Sequence, residues 1–307
     1  MTWRRWLAQL SLQRLDIDRW AVIYLLISAF YAFLKPSDFP HPWVNAVHHM
    51  VLAAGIWFLP PLLRANRHFV PRLLGEIYLP MLFPFFYSEM QYMGLIFFDF
   101  NSSLDPHLIA LEQRLFGFQP SLAWSRVWPW PWFHELMEFA YFCYYFLAVA
   151  FLILVFRAGS WTRPQRWELL RRFVRDLSMT MLICYTLYTL FPAWGPKYFQ
   201  EGFVEVDGWI FTDIMRYIHE HGAILGAAFP SSHVAASFIP WYHTWRLFPR
   251  HRWWMTIIFV LLCMSTVYNR YHYVVDVLAG LLLGVLVVYF GQRLGAVARD
   301  RLRRLTH

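Results

Sequence analysis

The chain has 307 residues, 59% of them hydrophobic and only 15% charged, where an ordinary soluble domain carries about 25% charged residues. That excludes a soluble globular protein, and because the apolar runs recur along the whole length without a linker, one polytopic membrane domain is expected. The net charge of +8 does not point to nucleic acid, since the arginines lie beside apolar spans and positive-inside anchoring accounts for them.

Hydropathy predicts an all-α polytopic membrane protein with about eight transmembrane helices. In chain order the spans are roughly Trp20–Leu34, Trp43–Leu63, Ile77–Phe98 and Glu135–Phe156, then Phe173–Pro192, Ala223–Trp245, Trp253–Tyr268 and His272–Phe290. Met1 to Trp20 is Arg-rich and lacks a small-residue cleavage site, so no cleavable signal peptide is expected. The third span contains Pro80, Pro84, Glu89 and Gln91, and the sixth contains a Ser-Ser-His turn. Polar spans of this kind persist only inside protein or beside a wet cavity. The division expected is N-terminal helices over 1–74, a membrane core over 75–290 and a basic cytoplasmic tail over 291–307.

The connection Asp99–His134 is too long for a simple turn. Asp105-Pro106 opens a helical pattern that Gly117 can close. Leu108, Ile109, Leu111 and Leu115 share a face there while Glu112, Gln113 and Arg114 fall off it, the pattern of a helix lying on the outer leaflet. Trp124, Trp128, Trp130 and Trp132 then read as an aromatic belt, or more sharply as a lid that orients lipid headgroups. With both termini cytoplasmic, 21 of the 27 lysines and arginines fall inside. The same arrangement brings Lys197, His233 and His272 to the outer membrane face.

Two short stretches carry the chemistry, Phe229-Pro230-Ser231-Ser232-His233 and Tyr271-His272-Tyr273-Val274-Val275-Asp276. Four residues apart, His272 and Asp276 share a face if helical, so the carboxylate holds one imidazole nitrogen and leaves the other free to attack. The small-residue turn offers the backbone N–H groups of Ser231 and Ser232 to a phosphate, and His233 beside it supplies a second imidazole. Lys197, after Trp194-Gly195-Pro196, reads as a phosphate clamp, and Arg270 as a further guanidinium. Taken singly, the His272 and Asp276 pair could be a helix-surface contact and Lys197 a snorkelling side chain. Together on one face they suggest phosphoryl transfer on a lipid of the outer leaflet, with no metal and no cofactor implied.

Other polar residues carry less. Glu89, Glu138 and Asp176 lie in or at the ends of spans, where they either bind an acceptor hydroxyl or form internal networks. His48-His49 and His219 with His221 lack a full metal-ligand set. Cys143, Cys184 and Cys263 fall in apolar runs and imply neither disulfide nor metal. Asn101-Ser102-Ser103 is a glycosylation sequon on the outer side, meaningful only in a eukaryotic secretory host. A transporter would explain the polar spans but should show internal repeats, and none is evident. A catalytically dead scaffold would not need His233, His272 and Asp276 together.

Pro230-Ser231-Ser232-His233, and later His272 with Asp276 and Val277-Leu278-Ala279-Gly280, resemble the second and third signature motifs of the type-2 phosphatidic acid phosphatase superfamily. Phe191 to Lys197 stands where the first motif belongs. Asp105 to Gly117 and Tyr271-His272-Tyr273 resemble the branch containing inositol phosphorylceramide synthases. The resemblance implies a helical core of that family, His272 as the nucleophile that becomes phosphohistidine, Asp276 as its orienting partner and His233 as the acid that protonates the leaving alkoxide. Two arginines of the family pattern are missing, for Val204 and Thr266 occupy their positions. A diester carries one charge where a monoester carries nearly two, so the loss favours headgroup transfer to a small alcohol or lipid hydroxyl over monoester hydrolysis. A lipid phosphate phosphatase is the alternative.

Overall fold

The computed structural model describes residues 15–34, 41–93, 103–199 and 204–305. Arg4, Arg5, Arg14 and Lys35, the 94–98 end of the third expected span, and Asn101-Ser102 of the sequon lie outside those residues. Among the described residues the chain is helical and holds no strand, only an isolated bridge between Ala193 and Ala227. Packing separates two compact units, Met1–Phe97 and Phe98–His307.

The first unit contains α1 (Asp16–Leu34), α2 (Pro42–Arg64), α3 (Phe69–Met81) and α4 (Phe83–Met93). Its packing places α3 and α4 with the N-terminal helices, and the two units divide at 97/98. Arg64 ties this unit together by a two-pronged pair with buried Asp18, at 2.5 and 2.7 Å, and Tyr78 donates to the same carboxylate at 2.8 Å. A buried guanidinium is tolerated there because both carboxylate oxygens answer it. His49 is similarly accounted for: Nδ1 contacts the Asn45 carbonyl at 2.6 Å, and Nε2 lies 3.3 Å from Glu89.

The second unit begins with α5 (Asp105–Phe116), which has Pro106 in its first turn and ends at Gly117 in a left-handed conformation, φ 77°. It continues through α6 (Pro120–Val127), α7 (Pro131–Phe142), α8 (Tyr144–Arg157) and α9 (Arg163–Leu190). Thr162 and Gln165 form a reciprocal capping box at the start of α9. The short α10 (Pro196–Phe199) is followed by α11 (Ile210–Gly222), α12 (Ser232–Leu247), α13 (Arg252–Tyr268) and α14 (Val274–Leu305). Helix α12 is central, packing against α8, α9, α13 and α14. A Cβ on Gly280 of α14 would stand 2.5 Å from the Ser231 carbonyl oxygen, so the absent side chain is what lets α14 approach the start of α12.

Among the described residues four helices are long and apolar enough to cross a membrane, Asp16–Leu34, Pro42–Arg64, Phe69–Met90 and Val274–Gln292. The pair α7 and α8, bent by 51°, makes a fifth if taken as one span. The count of eight is not confirmed on these grounds: α12 has 16 residues and α13 has 17, at or just below the lower end of the roughly 17–25 residues of a spanning helix. The sixth expected span also begins later than hydropathy suggests, because residues 223–231 form turns and the helix starts only at Ser232.

Helix α5 buries two acids, one of which, Glu112, the sequence pattern puts off its apolar face. Asp105, Leu108 and Glu112 are its buried residues, while Leu111 and Leu115 are exposed. The physical reason is hydrogen bonding, since both acids accept backbone N–H groups from neighbouring loops. In the aromatic segment, Trp128, Trp130 and Trp132 are exposed and stack in series at 6.0 and 5.8 Å, whereas Trp124 turns inward against Tyr268.

Candidate active site

His272 does not lie on a helix. It precedes α14, which begins at Val274, and its own N–H and that of Tyr271 both donate to the Thr266 carbonyl at 3.0 Å. The pairing with Asp276 arises instead from helix capping. Asp276 reaches back so that Oδ2 accepts the Tyr273 N–H at 2.8 Å, which leaves it 3.5 Å from Nδ1 of His272. The shorter partner of that nitrogen is the Ala228 carbonyl oxygen at 2.9 Å. A carbonyl can only accept, so Nδ1 carries the proton and, in the neutral ring, Nε2 carries the lone pair. Asp276 is fully buried, and its Oδ1 has no hydrogen-bond partner.

His233 stands in the first turn of α12, its ring centre 5.8 Å from that of His272. Its Nε2 shares a hydrogen bond with the Tyr141 hydroxyl at 3.0 Å, and its buried Nδ1 has no partner. Ser231 and Ser232 reach the same place with other duties than those expected of them. The Ser231 N–H donates to the Asp276 carbonyl at 3.0 Å, and its hydroxyl caps α12 through Val234 N–H at 3.4 Å. The Ser232 N–H donates to the Tyr188 hydroxyl at 3.2 Å. In this structure both N–H groups are committed internally, so the turn locks α12 to α14 and to α9; it is not an open anion cradle.

Lys197 is exposed, and its backbone N–H donates to the Arg270 carbonyl at 3.0 Å. Arg270 adopts a left-handed backbone, φ 61°, in the loop after α13. Both residues line a cleft of about 410 Å³ together with Glu138, His219, Asn269 and Tyr271. Tyr271 donates to Glu138 at 3.0 Å and stacks on His219 at 4.2 Å and 17°. Tyr141 packs against Tyr271, His219 and His233, so one aromatic cluster joins the cleft to the histidine pair. Burial, with the positive charge of Lys197 nearby, lowers His219 to about 4, so it is neutral at physiological pH. Burial also raises the Tyr271 phenol well above its ordinary value, keeping it a hydrogen-bond donor.

Several contributors were invisible in the sequence pattern. Asp105 is buried and accepts the N–H groups of Trp194 and Gly195 at 2.7 Å each, the Tyr273 hydroxyl at 3.0 Å and the Ser103 hydroxyl. It thereby fixes the turn that presents Lys197. Glu112 accepts the N–H groups of Val274 and Val275 at 2.5 and 3.4 Å, capping α14 immediately after His272. Asn269, which lines the cleft, has neither amide atom partnered although the residue is 6% exposed. A buried polar group left open towards a cleft is costly unless something enters to meet it. Of the two positions lacking arginine, Val204 lines the cleft, while Thr266 is buried and donates back to the Cys263 carbonyl at 2.8 Å. Asp176 and His221 lie outside this group: Asp176 pairs with Arg175 and His243, and His221 contacts the Tyr217 carbonyl. Among the described residues no cluster of three or more His, Cys, Asp or Glu converges as a metal-ligand set.

The PAP2 superfamily profile matches residues 106–290. The chain belongs to that superfamily. The match takes in α5 through most of α14, and with them every residue of the site except Asp105. Members of the PAP2 superfamily are phosphatases or phosphotransferases, so this chain is an integral membrane protein of a family acting on phosphate esters. Relatives include a PA-phosphatase related-family protein of Dictyostelium discoideum, 25% identical over 51% of this chain and 32% of its own length. Another is the inositol phosphorylceramide synthase catalytic subunit aur1 of Schizosaccharomyces pombe, 28% identical over 35% of this chain and 26% of its own. The alignments thus cover less than a third of either relative's length. No solved structure matches.

Proposed function

We propose that this PAP2 superfamily member is a lipid phosphotransferase. In this reading it moves a phospho-headgroup from a phospholipid to a hydroxyl acceptor through a phosphohistidine on Nε2 of His272. The observation that carries the reading is the fixing of His272: Nδ1–H is held by the Ala228 carbonyl, which leaves the lone pair to Nε2, and the ring of His233 stands 5.8 Å away, centre to centre. Attack by Nε2 forms the nitrogen–phosphorus bond as the bond from phosphorus to the diacylglycerol oxygen breaks. His233 gives that oxygen its proton. The acceptor hydroxyl then attacks phosphorus, passes its proton to His233 and releases Nε2.

Transfer is favoured over hydrolysis by the cleft. Arg216 in the cleft is already paired with Asp207 and Asp213, so Lys197 and Arg270 are the cations that meet a singly charged diester, while Glu138, His219 and Asn269 offer hydrogen bonds suited to a hydroxyl-bearing headgroup. The relative from Schizosaccharomyces pombe is by name such a synthase subunit. The topology we infer has eight spans, both termini cytoplasmic and the site on the outer face, as the charge distribution of the sequence supports.

The test is product analysis. Purified protein is incubated with a phosphodiester lipid or with phosphatidic acid, each with and without a sphingoid or polyol acceptor, and phosphorus is followed by mass spectrometry. Acceptor-dependent phosphodiester product supports transfer. Faster release of inorganic phosphate from phosphatidic acid, with no acceptor-dependent product, makes the protein a lipid phosphatase.

A further inference from the structure

A second cavity, of about 360 Å³, opens at the other end of α9, α12 and α14 and is lined by Arg172, Arg175, Asp176, Tyr242, His243 and Arg246. His233 and Arg246 stand at opposite ends of α12, about 20 Å apart along an axis rising about 1.5 Å per residue. The charges in this cavity do not cancel. Asp176 is buried and fully engaged: Oδ1 accepts from Arg175 at 2.9 and 2.7 Å, and Oδ2 meets Nε2 of His243 at 3.0 Å. A Cβ on Gly291 would stand 2.7 Å from that Oδ1, so the glycine is what lets the pair lie against α14. Arg172 is matched by Glu168 at 2.9 Å. Arg246 meets no carboxylate among the described residues; it donates to the Tyr242 hydroxyl at 2.8 Å, which also accepts from the Gln292 amide.

Positive-inside anchoring explains arginines on this side of a membrane protein but does not require them to converge from two helices on one cavity. The volume is within the roughly 300–1,000 Å³ of small-ligand sites. Leu169 and Leu247 add apolar wall beside the guanidinium groups. Basic pockets between membrane helices are suited to anionic headgroups. We propose that this cavity binds a phosphate-bearing anion, either the headgroup of an acidic phospholipid in the adjoining leaflet or soluble phosphate. The site is separate from His272 and does not depend on how that residue is read.

Binding is measured without turnover, in nanodiscs of phosphatidylcholine with or without phosphatidylglycerol, and in phosphatidylcholine alone with inorganic phosphate. Native mass spectrometry and the melting temperature report occupancy. Saturable binding of phosphatidylglycerol alone identifies the headgroup as the ligand, and binding of phosphate alone identifies the soluble anion. Arg246→Gln removes a charge-assisted contact and should weaken binding about tenfold or more. Gln292→Glu, which adds a negative charge at the mouth, should act in the same direction. Both positions are exposed, so the fold should tolerate both changes, and melting without ligand checks this. Arg250→Gln, exposed and outside the cavity, should bind as the parent protein does. Absence of binding by both probes, unchanged binding in Arg246→Gln and Gln292→Glu, or an equal loss in Arg250→Gln would overturn the proposal.

Discussion

His272 and His233 stand with ring centres 5.8 Å apart, yet they are held in opposite ways. Around His272 every constraint is backbone or buried acid: the Ala228 carbonyl takes Nδ1–H, Thr266 holds its N–H, and Asp276 and Glu112 cap the helix that follows. His233 has a phenol on Nε2 and nothing on Nδ1. A nucleophile gains from a fixed tautomer and a fixed direction of attack, because both are needed in the same bond-forming step. A group that must give a proton in one half-reaction and take it in the next gains from weaker, exchangeable partners. The difference in support thus separates two imidazoles that composition alone cannot tell apart.

The largest expected effect breaks the pair apart by chemistry. His272→Ala should lose turnover by about 10⁴-fold or more, as removal of a nucleophile does. His233→Ala should lose about 10²–10⁴-fold, the range for a general acid. A donor whose leaving group is a nitrophenol needs no protonation, so it should restore much of the lost rate to His233→Ala and none to His272→Ala. Equal rescue of both variants would mean that the roles assigned from their surroundings are wrong.

Asp276 sharpens the comparison further. Where a carboxylate alone fixes the tautomer of a catalytic histidine, the Asn variant loses on the order of 10⁴-fold. Here Ala228 takes the proton at 2.9 Å and Asp276 is at 3.5 Å, so Asp276→Asn should lose only about 10²-fold, from weaker support of the imidazolium. Because Asn can still accept the Tyr273 N–H, melting should change by a few degrees at most. A loss as deep as that of His272→Ala would show that Asp276, not Ala228, sets the ring.

How far this arrangement is legible in the sequence depends on the kind of contact. The spacing of His272, Asp276 and His233 and the Trp-Gly-Pro-Lys turn are visible because short-range motifs carry them, and the structure brings Lys197 and Arg270 together in one cleft. The capping origin of the His272 and Asp276 contact is not visible, since four-residue spacing fits a helical face equally well. Hydropathy treats an acid as outward and so puts Glu112 off the apolar face, and Asp105 reads only as the residue that opens the helix. Their spacing with Leu108, at i, i+3 and i+7, is itself a one-faced helical pattern, and that is the signal a polar-inward reading would have used. Asn269 gains meaning only once folding places it in the cleft, beside the Glu138 that its place in a span already marks.

The smallest effect concerns Glu112, which lends α14 its fixed start just after His272. Burial raises its carboxyl to about 7, against the opposing pull of the Val274 and Val275 N–H groups. A folded-state value above the ordinary 4.5 means that, between those two pH values, the folded protein keeps a proton the unfolded chain has released. Stability should therefore fall as pH rises through that window and level off above it. Glu112→Gln keeps an acceptor oxygen for the two N–H groups but cannot ionise, so its melting temperature should lack this slope and exceed that of the parent protein at pH 8. Glu112→Ala also cannot ionise but loses the cap itself, so it should be less stable than Glu112→Gln by about 1 kcal/mol at every pH. Melting curves from pH 5 to 8 in one detergent decide the matter: parallel curves for the parent and Glu112→Gln would mean that Glu112 is charged throughout, and that its hold on α14 is that of an ordinary carboxylate.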